Sequence, residues 1–155
     1  MSANEARRRA RERLEGDDSY AGDVTPTEAW AILESEPGAT LIDVRTDAEW
    51  TYVGLPDLAP LGKKPILIGW QLFPAMTVNA NFVEAVEKLG TAKDAPLLFL
   101  CRSGVRSKAA AQALAARGYT ACLNIEGGFE GPHDAGRHRG SLAGWKAAGL
   151  PWVQG

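Results

Sequence analysis

Apolar residues along the 155-residue chain fall into short blocks separated by charged or glycine- and proline-bearing turns. Pro96–Leu100 is apolar at every position. A strand without alternation is buried on both faces, which predicts the centre of a parallel sheet. Thr40–Val44 and Thr120–Ile125 read as further strands, and Ile66–Ile68 as a short one. Helical stretches alternate with them. Thr25-Pro26-Thr27-Glu28 opens a helix with a hydroxyl cap, a proline in the first turn and an early acid. That helix runs through Trp30, Ile32 and Leu33 and stops near Pro37-Gly38. Asp47–Tyr52 predicts a short helix, and Asn81–Leu89 one with Phe82, Val83, Val86 and Leu89 on a single face, closed by Gly90. The alanine-rich run Lys108–Arg117 ends at Gly118, and Leu142–Ala148 reads as a last short helix. Strands alternating with helices predict an α/β fold of right-handed βαβ units, with a central parallel sheet flanked by helices. No internal repeat is present.

Residues 3–15 carry mixed charge at helical spacing with Leu14 as the one large apolar side chain, which reads as a solvated helix broken by Gly16-Asp17-Asp18. Residues 1–22 are accordingly expected to form a charged N-terminal helical extension and residues 23–155 the domain, since single domains usually run to about 100–150 residues. Glu5, Glu12 and Glu15 among the arginines argue against a transit peptide, and no apolar stretch approaches the length of a signal peptide core or a bilayer span. A cytoplasmic protein that binds neither membrane nor nucleic acid is the expectation; the net charge of −2 supplies no basic field for a phosphate backbone. Two cysteines are too few for a disulfide framework and read as reduced thiols.

The chemistry concentrates after the buried strand. Cys101 stands at its carboxyl end, where open α/β sheets bind ligands, and a helix is predicted from about Ser107. Free N–H groups and the positive end of that helix, a curl allowed by Gly104, and the cations of Arg102 and Arg106 all converge on the thiol. A helix terminus contributes about 0.3–1 kcal/mol, up to about 2 when partly buried. At about 1.4 kcal/mol per pKa unit, it moves a thiol by roughly one unit from about 8.5, so a thiolate at neutral pH needs the arginines or several aimed amides as well. The same cradle binds an oxyanion. A core cysteine is the better reading of Cys122, which has no neighbouring cations; for Cys101 the alternatives are a nucleophile in an anion pocket or an anion-binding loop with an incidental thiol.

Cys101-Arg102-Ser103-Gly104-Val105-Arg106-Ser107 resembles the active-site loop of the rhodanese-like sulfurtransferases. Further marks follow in order: Leu41-Ile42-Asp43-Val44-Arg45, Asn124-Ile125-Glu126-Gly127-Gly128, and Gly144–Pro151. The resemblance spans roughly residues 23–153 and implies a single rhodanese-like domain. It implies that Cys101 attacks the outer sulfur of an anionic donor such as thiosulfate, carries a persulfide and yields it to a thiol, protein or cyanide acceptor, without a cofactor or metal. Arg102, Ser103, Gly104, Val105, Arg106 and Ser107 would hold the donor and the persulfide. Asp43 and Arg45 would brace the loop as a charge pair, a surface salt bridge being the alternative. Cysteine-dependent phosphatases and arsenate reductases of similar shape have a loop one residue longer. The four residues between Cys101 and Arg106 favour sulfur over a tetrahedral phosphate.

Two stretches depart from that family. Gly54-Leu55-Pro56-Asp57 lacks the histidine that commonly follows the segment after Glu49-Trp50, and a longer Pro/Gly-containing loop continues to Ile66. Residues 131–144 form an insert with His133, Asp134, Arg137, His138 and Arg139, which reads as a basic rim at the site's mouth, as an exposed glycine-rich excursion, or most remotely as a metal site. Trp50, Trp70, Trp145 and Trp152 read as core or rim packing. A relay module that takes sulfur from one protein and passes it to another is the competing function, with the arginine-rich N-terminal helix and the insert as docking surfaces.

Overall fold

In the computed structural model, which describes residues 1–154, the uninterrupted apolar run forms strand β7 (Leu97–Leu100), the third of five in a parallel sheet ordered β1-β8-β7-β2-β4. Its neighbours are β2 (Thr40–Asp43) and β8 (Cys122–Ile125); the edges are β1 (Gly22–Val24) and β4 (Ile66–Leu67). All four residues of β7 are 0% exposed. Both faces are apolar because side chains alternate across the sheet. Leu98, Leu100, Leu41, Leu123 and Ile125 join one core cluster, while Leu97, Phe99, Ile42 and Cys122 join the other.

Helices α1 (Ala3–Glu12) and α2 (Pro26–Ser35) cover the first face; α4 (Phe82–Glu87) and α5 (Val105–Ala115) cover the second. The cap at Thr25 is a reciprocal box: Glu28 N–H donates to Thr25 Oγ1 at 3.1 Å and Thr25 N–H to Glu28 Oε1 at 2.8 Å. A second box, Thr46 with Glu49, starts α3 (Asp47–Tyr52). In α4 the helix ends before Leu89, which is 37% exposed; Phe82 and Val86 alone bury deeply.

The N-terminal helix is not solvated all round. Ala3, Ala6 and Ala10 are buried against the body. Two of its arginines tie it to the body: Arg7 pairs with Glu36 at 2.9 Å, and Arg13 takes both oxygens of Glu28 and the carbonyl of Asp23. Arg8 and Arg11 remain exposed. The stripe escaped notice because alanine carries too little apolar weight to mark a face among five arginines.

Residues 142–148 form turns rather than the expected helix. Gly144 has φ +99°, outside the right-handed helical region, and Trp145 is folded inward with 0% exposure and its indole N–H on Pro151 O. The chain then closes through β9 (Trp152–Val153), antiparallel to β3 (Leu55–Pro56). A hairpin that the hydrophobic pattern does not announce, β5 (Gln71–Leu72) with β6 (Thr77–Val78), projects beside the carboxyl end of the sheet. No helix among the described residues is long and apolar enough to cross a membrane.

Candidate active site

Cys101 follows β7 directly and is 1% exposed. Gly104, at φ +113°, turns the chain so that α5 begins at Val105, two residues before the expected start. A left-handed residue here needs glycine. The turn brings Gly104 N–H to 3.0 Å from Cys101 Sγ, with Ser107 Oγ at 3.1 Å and itself fully buried. The amides of Arg102, Ser103, Val105 and Arg106 find no acceptor among the described residues. They surround a cavity of about 310 Å³ lined by Cys101, Arg102, Ser103, Val105 and Arg106, with Glu49 from α3 and Gln71 and Met76 from the hairpin.

The two arginines play unlike parts. Arg102 is exposed and makes no ion pair among the described residues. Arg106 is held by both oxygens of Glu49, at 2.7 and 3.0 Å. Burial alone would lower the Arg106 guanidinium, but the Glu49 hydrogen bond and charge reverse this and hold it above its usual range. Burial would likewise raise Glu49; Arg106 and the Thr46 amide take it below the ordinary carboxylate range. The pocket's uncompensated positive character therefore comes from Arg102 and the amides.

The Glu49–Arg106 pair has a pH signature. A carboxyl whose folded pKa lies below its unfolded one adds stability above the unfolded value, about 4.3, and loses it as pH falls through the folded value. Glu49→Gln should cost about 1.5–3 kcal/mol at pH 7, as for hydrogen bonds to charged groups. The gap to the parent protein should narrow below pH 4. Urea melts of both proteins at pH 7 and pH 3.5 check it; a gap equal at both values refutes it.

Asp43 and Arg45 are 0% exposed, so their pairing is not a surface bridge. Arg45 Nε and Nη2 donate to the Asp43 carboxylate at 2.9 and 2.6 Å, and Nη2 also to Gly54 O at 2.8 Å. The guanidinium lies over the Phe129 ring, and Phe129 N–H donates to Cys101 O at 2.7 Å. Glu130 and Gly131 amides donate to Arg102 O. The turn after β8 thus clamps the base of the loop. The insert beyond it contributes no residue to the cavity around Cys101. Asp134 is spent on its own turn, accepting from Gly136 N, His138 N and Ser141 Oγ. Of the readings given to the insert, the rim would need it beside this cavity, where Gln71 and Met76 of the hairpin stand.

A family model described as the STR4 middle domain matches residues 21–155. The crystal structure of Rv0390 from M. tuberculosis superposes with a TM-score of 0.78 at 46% identity, covering 88% of this chain and 99% of that one. The Rickettsia conorii protein RC0915 is 39% identical over 83% of this chain and 94% of its own. The thiosulfate sulfurtransferase GlpE of Actinobacillus pleuropneumoniae is 26% identical over 83% and 90%. The chain belongs to the rhodanese-like sulfurtransferase family.

Within this rhodanese-like domain, the segment without the family's common histidine is the one that forms β3 and receives the chain's C-terminal strand. Sequence reasoning missed four side chains at the site. Glu49 was given no role, because its partner is 57 positions away. Gln71 lies on a two-residue strand and Met76 in the turn that follows it, neither of which the hydrophobic pattern marks. Asn124 was quoted only within a motif, although a polar residue inside the buried strand Cys122–Ile125 is itself a signal.

Proposed function

We propose that this protein moves a sulfane sulfur from thiosulfate or a similar anionic donor to a thiol or cyanide acceptor through a persulfide on Cys101. The observation that carries this reading is the Gly104 N–H directed at Sγ at 3.0 Å within a cradle of amides that lack acceptors. Such a cradle stabilises negative charge on sulfur and on a sulfonate. The Cys101 thiolate attacks the outer sulfur of thiosulfate. A Cys101–sulfur bond forms as the donor's S–S bond breaks, and sulfite departs with the electron pair. The persulfide's outer sulfur keeps one negative charge at the amides, with Arg102 beside the departing anion. Cyanide or a thiolate then takes that sulfur and returns Cys101 as thiolate. The protein's own groups supply all of this, without a cofactor. A reducing, cytoplasmic setting suits the two unpaired cysteines.

Intact mass measurement after thiosulfate treatment tests the reading. A gain of one sulfur atom on the Cys101 peptide, lost again on adding cyanide, is expected; no gain from thiosulfate or polysulfide overturns it. A protein acceptor is favoured over a small thiol by one feature. Met76 of the hairpin and Val105 at the start of α5 line the cavity at 37% and 78% exposure, and Leu72, Phe73 and Val78 of the same hairpin are exposed as well, an apolar surface that a small anion does not use.

A further inference from the structure

Behind the thiol a chain of buried polar groups runs away from the cavity. Ser107 Oγ lies 3.1 Å from Cys101 Sγ and 2.5 Å from Asn124 Oδ1. Asn124 Nδ2 donates to Asp23 Oδ1 at 3.0 Å, across the paired positions of β8 and β1. The same carboxylate oxygen accepts from Tyr20 Oη at 2.7 Å. Ser107 is 0% and Asn124 4% exposed.

Counting protons fixes the direction of each bond. Two donors converge on Asp23, and a carboxylate only accepts, so the Asn124 amide must turn its NH2 toward Asp23 and its oxygen toward Ser107. That oxygen has no proton to give. Ser107 therefore donates its single proton to Asn124 and meets Cys101 with a lone pair. This suits a thiol, which can donate S–H to Ser107. It does not suit a thiolate, which finds a lone pair at 3.1 Å unless Ser107 rotates and abandons Asn124. A persulfide is again compatible, because its inner sulfur is neutral and its charge sits on the outer sulfur near the amides.

We propose that Asn124, oriented by Asp23, is a positioning residue that turns the Ser107 proton away from Cys101, restraining the sulfur-free thiolate while leaving the persulfide unopposed. This rests on Cys101 being the reactive thiol. The other charged groups around it are Arg102 on the loop, Arg106 on α5 with its partner Glu49 on α3, and the Asp43–Arg45 pair after β2; Glu126 faces the Tyr20 end of the chain. None of them touches Ser107 or Asn124 by hydrogen bond among the described residues.

Alkylation by iodoacetamide, mapped to Cys101 by peptide mass, reads the thiolate directly and needs no sulfur donor, so it reports even if sulfur transfer fails. Asn124→Leu frees the Ser107 proton for sulfur. Asp23→Ala, which touches neither the thiol nor Ser107, lets the Asn124 amide turn over and has the same effect. Both should speed alkylation at pH 7 severalfold, up to about tenfold, the worth of one net hydrogen bond, and move its pH profile to lower pH. In a Ser107→Ala background the gain should vanish. Unchanged or slower alkylation in both variants, or a gain that survives Ser107→Ala, overturns the proposal. If Asn124→Leu does not fold, Asp23→Ala carries the test alone.

Discussion

Cys101→Ser should abolish sulfite release from thiosulfate, down to the rate without protein, while leaving the melting temperature within a few degrees of the parent. The two halves of this expectation have separate causes. Oxygen for sulfur barely changes the volume of a buried side chain, and Gly104 N–H and Ser107 keep a polar atom to bond, so the fold has no reason to yield. The chemistry has every reason. A serine hydroxyl ionises far above neutral pH, and the pocket holds no histidine or free carboxylate within its lining to take the proton; Glu49 is already bound to Arg106 through both oxygens. Cys122 supplies the internal control. Burial alone pushes its thiol up to about 12, and it is 0% exposed in the strand beside β7. Cys122→Ser should therefore leave turnover intact, and alkylation at pH 7 should label Cys101 and spare Cys122. Activity retained by Cys101→Ser, or lost equally in Cys122→Ser, would sink the assignment of the nucleophile.

The parts of this site that were legible in the sequence are those written locally. The apolar pentapeptide Pro96–Leu100, followed by Cys101, a glycine three residues on and a helix, specifies a thiol at the carboxyl end of a buried strand, because burial, strand direction and helix start depend on neighbours in sequence. What remained hidden depends on distance or on weak apolar weight. The partner of Arg106 comes from α3, and the clamp on the loop's carbonyls comes from the turn after β8; neither pairing leaves a trace in local pattern. The hairpin at the mouth has two-residue strands with exposed Leu72 and Val78, so no face alternates. Residues 142–148 misled in the opposite direction: alanine and lysine favour helix, but Gly144 is drawn to φ +99° by its packing on the Gly127-Gly128 turn. Tertiary contact outweighed propensity there, as it does wherever a short segment is pinned at both ends.

Gly128→Ala should be among the most damaging single substitutions in the chain outside the thiol itself. A Cβ at this position would stand 2.4 Å from Cys101 O and 2.6 Å from the Arg102 carbonyl carbon, both backbone atoms that cannot swing aside. Residue 128 also has φ +60°, a left-handed conformation that costs a side-chain-bearing residue about 1–2 kcal/mol. Overpacking against backbone adds about 1–3 kcal/mol, and at about 2–4 °C per kcal/mol the melting temperature should fall by on the order of 10 °C. Gly62→Ala separates the two contributions. Gly62 has φ +69° but nothing within 4 Å of the added carbon, so it should show the conformational cost without the clash. The clash should also be felt at sulfur. Phe129 N–H on Cys101 O and the Glu130 and Gly131 N–H groups on Arg102 O hold loop and turn together, and pushing them apart moves Cys101 relative to the Gly104 amide. Sulfur transfer should therefore fall in Gly128→Ala well below the assay temperature at which it unfolds, and stay at the parent level in Gly62→Ala. If the two variants melt alike and react alike, the close approach of the turn to the loop has no energetic consequence and the clamp is an accident of packing.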